Sequence, residues 1–328
     1  MSCNVVVTGA SGFIGKSCVA SSLRSGFLVA AHYRRDLEKA TAPAEIFSQS
    51  QVRKLVSPDF TSVHSFLDNN PVDVVLHTAA RVHVMGENDA PSLEANRAIN
   101  SELTLQLARR AAKSNTKRFV YLSSAKVGGE LTRRGEPLRA ESSAPKDPYA
   151  ISKWEAEQGL REIATRTGME VVIIRPPLVY GPGVRANFLT MMQWLVRGVP
   201  LPFGAINNQR SLVALPNLVD FITLCLTHPK AANQTFLISD QQDVSTTELL
   251  RGLGDALERP ARLIPVSQSL LEFGLKAVGK GSVAQRLLGD LTVDSTPATE
   301  LLGWKPPFSV QQGLKLTADH FLEPSSKP

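Results

Sequence analysis

The chain has 328 residues, 43% of them hydrophobic and 20% charged, a globular composition that excludes disordered and fibrous classes and leaves room for one or two domains. Its formal charge of +6 arises from scattered short pairs and not from a polybasic arm, which argues against nucleic acid and for small anionic partners such as nucleotides and sugar phosphates. Cysteines at positions 3, 18 and 225 are odd in number and far apart, which supports neither a disulfide framework nor a zinc site and points to a reducing, cytoplasmic setting without metal.

Met1 to Thr8 lacks the charged n-region of a signal peptide, so Val5-Val6-Val7 reads as a buried strand. Gly9-Ala10-Ser11-Gly12-Phe13-Ile14-Gly15 follows, and the pattern then turns helical from Ile14 to Ser25. Glycines at this spacing allow a tight turn, close approach of backbone to a pyrophosphate and close helix packing. The order is Gly-x-x-Gly-x-x-Gly, a departure from G-x-G-x-x-G, but strand, turn and helix together give the turn weight as a dinucleotide site. Leu28 to Ala31 reads as the second strand, ending near Tyr33-Arg34-Arg35. NAD enzymes usually place a ribose-binding acid there. Arg34 and Arg35 instead suit a 2′-phosphate, which favours NADP(H) over NAD(H); a solvated pair balanced by Asp36 and Glu38 is the alternative.

Val72 to Leu76, Arg118 to Leu122, Val171 to Ile174 and Thr235 to Ile238 are further apolar runs, with a helical pattern over Asn96 to Ser114. Near-continuous apolar strands alternating with helices predict a parallel sheet covered on both faces, the doubly wound α/β class. After Arg175, prolines and glycines punctuate a less regular region. Ser269 to Leu288 reads as an amphipathic helix packed on the protein, with a membrane-surface face as the alternative. No stretch is long enough to span a membrane.

Asp147-Pro148-Tyr149 reads as a helix start, Asp147 being the N-cap. Tyr149 and Lys153 then share one helix face, and a nearby ammonium is expected to lower the phenol pKa and make Tyr149 a usable acid or base. Ser124, at the end of the Arg118 to Leu122 strand, offers a hydroxyl to the reacting oxygen.

With the Gly9 to Gly15 turn, Ser124 and the Tyr149/Lys153 pair in order, the chain resembles the extended short-chain dehydrogenase/reductase family, in its nucleotide-sugar epimerase/dehydratase/reductase branch, over nearly its whole length. Leu76-His77-Thr78-Ala79-Ala80, Asn100, Arg175 to Gly183 and Glu300 to Pro306 carry further likeness. The resemblance implies a Rossmann-like NAD(P)-binding part over 1–177 and 212–240 and a smaller, interleaved nucleotide-sugar-binding part over 178–211 and 241–328. It places Gly9, Ser11, Gly12, Phe13, Ile14, Gly15, Arg34, Arg35, Asp59, Phe60, Thr78, Ala79, Ala80, Asn100, Lys153 and Pro176 around the cofactor. Ser124, Lys126, Tyr149, Asn187, Arg210, Arg286 and His83 fall to the substrate, a UDP-sugar; for His83 and Lys126 a local packing or charge-pairing role stands beside that one. A homodimer through the helices at Ser101 to Ser114 and Tyr149 to Thr165 is also implied.

Within the branch, a 4,6-dehydratase carries Thr-Asp-Glu where this chain has Ser124-Ala125-Lys126, so elimination machinery is absent. A 4-epimerase holding one NAD and a 4-ketoreductase consuming NADPH remain. The arginine pair and the text around Arg175 to Gly183 are most similar to bacterial reductases of UDP-2-acetamido-2,6-dideoxy-4-keto-hexoses in surface-polysaccharide synthesis, so the reductase is the leading expectation and the epimerase the alternative. A non-catalytic NADP(H) sensor or RNA-binding protein on the same fold fits the pI of 9.3, but such proteins lose the tyrosine or lysine that this chain keeps.

Overall fold

The computed structural model describes residues 3–35, 52–81, 89–277 and 281–323. β1 (Asn4–Thr8) leads through the glycine turn into α1 (Phe13–Arg24), then β2 (Leu28–Tyr33), β3 (Val52–Val56), α2 (Thr61–Asn69) and β4 (Val74–His77). α3 (Asp89–Asn96) runs into a π-helical turn (Arg97–Glu102) and on into α4 (Leu103–Lys113), β5 (Arg118–Leu122), a 3-10 turn (Ala125–Val127), α5 (Pro148–Thr167) and β6 (Glu170–Arg175). The single helix expected over Asn96 to Ser114 thus contains a wide turn, a feature that recurs at functional sites.

These strands form one parallel sheet in the order β3-β2-β1-β4-β5-β6-β9, closed by β9 (Thr235–Leu237). β4 and β5 are buried at every residue, which is why their sequences run apolar without alternation. α1 packs on one face, beside α7 (Leu215–Thr227) and α11 (Thr296–Leu302), in a core of Val19, Leu23, Leu218, Phe221 and Trp304. α2, α4 and α5 cover the other face through Val63, Leu107, Ala156 and Leu160. The strand order reverses between β1 and β4, so the crevice that doubly wound folds use for ligands opens at their carboxyl ends.

β7 (Leu178–Tyr180) and β8 (Leu212–Ala214) pair in a separate two-stranded sheet. With α6 (Ala186–Val196), α8 (Thr246–Ala256) and α12 (Val310–Leu322) they enclose a second core around Phe188, Met192, Leu250 and Leu314. Serines start α8 and α12 with reciprocal capping boxes, Ser245 with Glu248 and Ser309 with Gln312. Ser269 to Leu288 becomes two helices, α9 (Gln268–Ala277) and α10 (Gly281–Leu288). The packed amphipathic helix is only half realised: Leu271 and Leu275 pack against Ile206 and Leu288, but Leu270 and Phe273 are 61% and 72% exposed. Among the described residues no helix is long and apolar enough to cross a membrane.

Candidate active site

The glycine turn is held by contacts that only glycine permits. Gly9 has φ +71°, and a Cβ on it would lie 2.7 Å from the Ala79 nitrogen; one on Gly15 would lie 2.1 Å from the Gly9 oxygen. α1 is thereby drawn against the exit of β4, where Thr78 Oγ1 donates to the Thr8 carbonyl at 2.6 Å. Gly12 caps α1 without a side-chain bond, and its first turn carries no acid. Backbone N–H donors at Phe13 and Ile14 beside the exposed Ser11 and Gly12 therefore fit a dinucleotide pyrophosphate. On the adjoining rim, Ala10 N donates to the His32 carbonyl at 3.2 Å. Tyr33 is buried there, and Arg34 and Arg35 stand exposed, with no hydrogen bond or ion pair among the described residues. Asp59 accepts from the Thr61 amide and hydroxyl at 3.2 and 2.9 Å, bonds that hold its carboxyl below the usual range. Phe60, at φ 66°, is buried between His32 and His77, with ring centroids 4.9 and 5.5 Å away. It supports the rim from beneath.

α5 carries the proton-transfer candidates. Its N-cap Asp147 accepts from the Ala150 amide at 2.7 Å and Pro148 opens the first turn. Tyr149 is half-buried and Lys153 almost wholly buried. The Lys153 Nζ donates to the Leu122 carbonyl at 2.8 Å and lies 4.6 Å from the Tyr121 ring centroid and 5.9 Å from that of Tyr149. Burial pulls the ammonium down to about 7, against the opposing pull of Glu157. The expected lowering of Tyr149 is not seen in the protein alone: burial, then the Asp147 carboxylate, push the phenol upward. Ser124 is half-buried and caps the 3-10 turn, its Oγ accepting from Lys126 N at 3.3 Å.

Two expected ligands also engage protein groups. The Lys126 ammonium forms an ion pair with Asp147, the local charge pairing that stood beside its reading as a substrate contact. Asn100, in the π-helical turn, accepts from Arg81 N at 2.7 Å and donates to Arg81 O at 3.0 Å and Ser152 Oγ at 3.1 Å. Its amide thus pins the backbone just past Ala80. Pro176 contributes its carbonyl to Ala125 N at 2.9 Å, fixing β6 to the turn after Ser124.

On the other side of the crevice, Asn187 is exposed in the first turn of α6. Arg210 is tied by backbone to Val244 and through Nη1 to the Gly289 carbonyl at 3.0 Å; burial lowers its pKa and nearby Asp290 opposes this. Asn208 holds the carbonyls of Leu287 and Gly289 at 3.2 and 3.1 Å, so α10 is hung from the Arg210 segment. Arg286 lies on α10, but its side chain is outside the described residues, as is His83. Among the described residues no cluster could hold a metal ion.

Sequence reasoning missed two buried sets. His77 bridges Thr8 Oγ1 at 2.8 Å and Thr104 Oγ1 at 2.9 Å, and burial holds it neutral, well below its ordinary pKa. Glu157, Arg175 and Ser123 form an ionic cluster under the Ser124 turn. The available signal was the four-residue spacing of Tyr149, Lys153 and Glu157.

Residues 5–239 match the model of the NAD dependent epimerase/dehydratase family. The chain belongs to this family. It is 43% identical to a UDP-glucose 4-epimerase of Vibrio cholerae over 99% of this chain and 97% of that protein. A GDP-6-deoxy-D-mannose reductase of Pseudomonas aeruginosa is 25% identical, with 96% of each chain covered. In fold it is similar to the dTDP-glucose 4,6-dehydratase of Bacillus anthracis solved in complex with NAD, with a TM-score of 0.77 at 17% identity, covering 98% of this chain and 96% of that one.

Proposed function

We propose that this family member acts at C4 of a UDP-hexose as a 4-epimerase that retains one NAD. The observation that carries this reading is the near-full-length likeness to the Vibrio cholerae enzyme. It reverses the order of the two expectations drawn from the sequence. When bound, the nicotinamide supplies the hydride acceptor and donor. The chain's residues then do the rest. Tyr149 takes the proton of the C4 hydroxyl as the sugar is oxidised and returns one to the same oxygen as the ketone is reduced. Ser124 donates a hydrogen bond to that oxygen, stabilising negative charge as it develops. Lys153 holds the ribose and biases the Tyr149 phenol toward its anion. Arg210 faces the diphosphate.

The second reading, reduction of a UDP-4-keto-6-deoxy-N-acetylhexosamine with NADPH, is favoured by one observation: the β2 rim ends in exposed Arg34 and Arg35 where NAD enzymes usually place an acid. Interconversion of UDP-glucose and UDP-galactose by protein that co-purifies with NAD supports the epimerase. Depletion of 340 nm absorbance with a UDP-4-keto-6-deoxy sugar and NADPH, without that interconversion, replaces it with the reductase. In either case Tyr149→Phe lowers kcat by about 10³-fold with cofactor affinity intact; unchanged turnover overturns the assignment of Tyr149. The homodimer through α4 and α5 is part of the same proposal, and sedimentation tests it.

A further inference from the structure

We propose that Glu157 is a positioning residue which, locked by Arg175, fixes both the Ser123–Ser124 turn and the charge of Lys153. The inference rests on the reading that Tyr149, Lys153 and Ser124 do the chemistry. Glu157 is fully buried on the same face of α5, one turn beyond Lys153 and two beyond Tyr149. Its Oε1 accepts from Ser123 Oγ at 2.6 Å and Arg175 Nε at 2.9 Å; its Oε2 accepts from Arg175 Nη2 at 2.6 Å and Arg161 Nη2 at 3.0 Å. The exit of β5 is therefore pinned to α5 at consecutive residues, Leu122 through Lys153 and Ser123 through Glu157, with Ser124 next in line. Arg175 extends the hold. Its Nη1 donates to the carbonyls of Ala140 and Ser142, both at 3.0 Å, in the segment that leads into Asp147 and Tyr149.

A buried ion pair is weak evidence of stabilisation, because desolvation offsets much of its attraction. Its placement is what assigns a role. The charged and titratable groups around Lys153 are Tyr149, Glu157 and the Asp147 cap from its own helix, Tyr121 from β5, neutral His77 from β4 and Arg175 from β6, with Arg161 beyond Glu157 and Lys126 engaged by Asp147. Glu157 is the group here that favours the ammonium. Neutralising it leaves Arg175 and Arg161 unbalanced, which disfavours the ammonium; removing a cation from Glu157 does the reverse.

The test is the pH profile of kcat/KM for the full-length enzyme loaded with NAD. Activity that requires the Lys153 ammonium falls as pH rises through its pKa. In Glu157→Gln that fall begins about one pH unit lower, and kcat drops at least tenfold while the KM for the sugar stays within threefold. Arg161→Gln, at the partly exposed end of the cluster, moves the fall to higher pH and does not threaten the fold. Ser123→Ala lowers kcat with no movement of the profile. Lower activity in Glu157→Gln and Arg161→Gln with unmoved profiles, or movement of both in one direction, reduces the cluster to a structural element and overturns the proposal. Failure of the catalytic reading itself shows separately, as retained turnover in Tyr149→Phe.

Discussion

Around α5, Lys153 and Glu157 are bonded to the ends of β5 and β6 by side chains buried almost completely, and Tyr149 stands half-buried one turn before Lys153, whereas across the crevice the Arg210 side chain hangs on one carbonyl and α9 has no buried residue. The first region is assembled by side chains reaching between strands that the sheet has already aligned. Turns and backbone bridges assemble the second, as in the pairing of Arg210 with Val244 and Leu291. Groups that must hold a reacting atom to within a fraction of an ångström benefit from the former. Recognition of a sugar nucleotide by charge tolerates the latter.

Substitutions on the two sides should therefore differ in kind. The largest effect is expected at Gly15→Val, whose Cβ would overlap the Gly9 oxygen. A loss of about 3 kcal/mol or more in urea unfolding, together with loss of NAD binding by fluorescence, is the expected outcome, and a normal unfolding midpoint would break the contrast. Arg210→Ala should raise the KM for the UDP-sugar about tenfold or more, the equivalent of one charged hydrogen bond, with kcat within threefold. A fall in kcat at constant KM would place Arg210 with the α5 group instead. Phe273→Ser, on the open side of α9, should leave activity unchanged and stability within about 0.5 kcal/mol. A drop in thermal midpoint would show that this face is covered in solution.

The legible parts of the fold were those whose signal is local. β1, β4 and β6 announce themselves as Val- and Ile-rich runs and β5 as an aromatic and aliphatic one, because both faces of the sheet are covered. β3 does not: it is an edge strand on which Arg53 and Lys54 are exposed. In the site, the glycine turn and the Tyr149/Lys153 spacing could be read because each lies within a few consecutive residues. Lys126 could not, since its partner Asp147 lies 21 residues away and only the fold brings them together. Glu157 and Arg175 hid for the same reason: an isolated glutamate on a helix and an arginine ending a strand each have an unremarkable solvated reading, and only their meeting under Ser123 makes them a unit.

The π-helical turn at Arg97–Glu102 has a consequence for how this chain tolerates insertions and deletions. A wide turn holds one residue more than an α-helical turn, so it behaves as a single-residue insertion absorbed without breaking the helix. Removing one residue there would let the turn close to regular winding and leave the flanking helices on their faces, but residues inside the turn would step round by up to about 100°, carrying the Asn100 amide away from Arg81 while every amino acid of the proposed cofactor wall stayed the same. The placement of that wall is a matter of register as much as of composition.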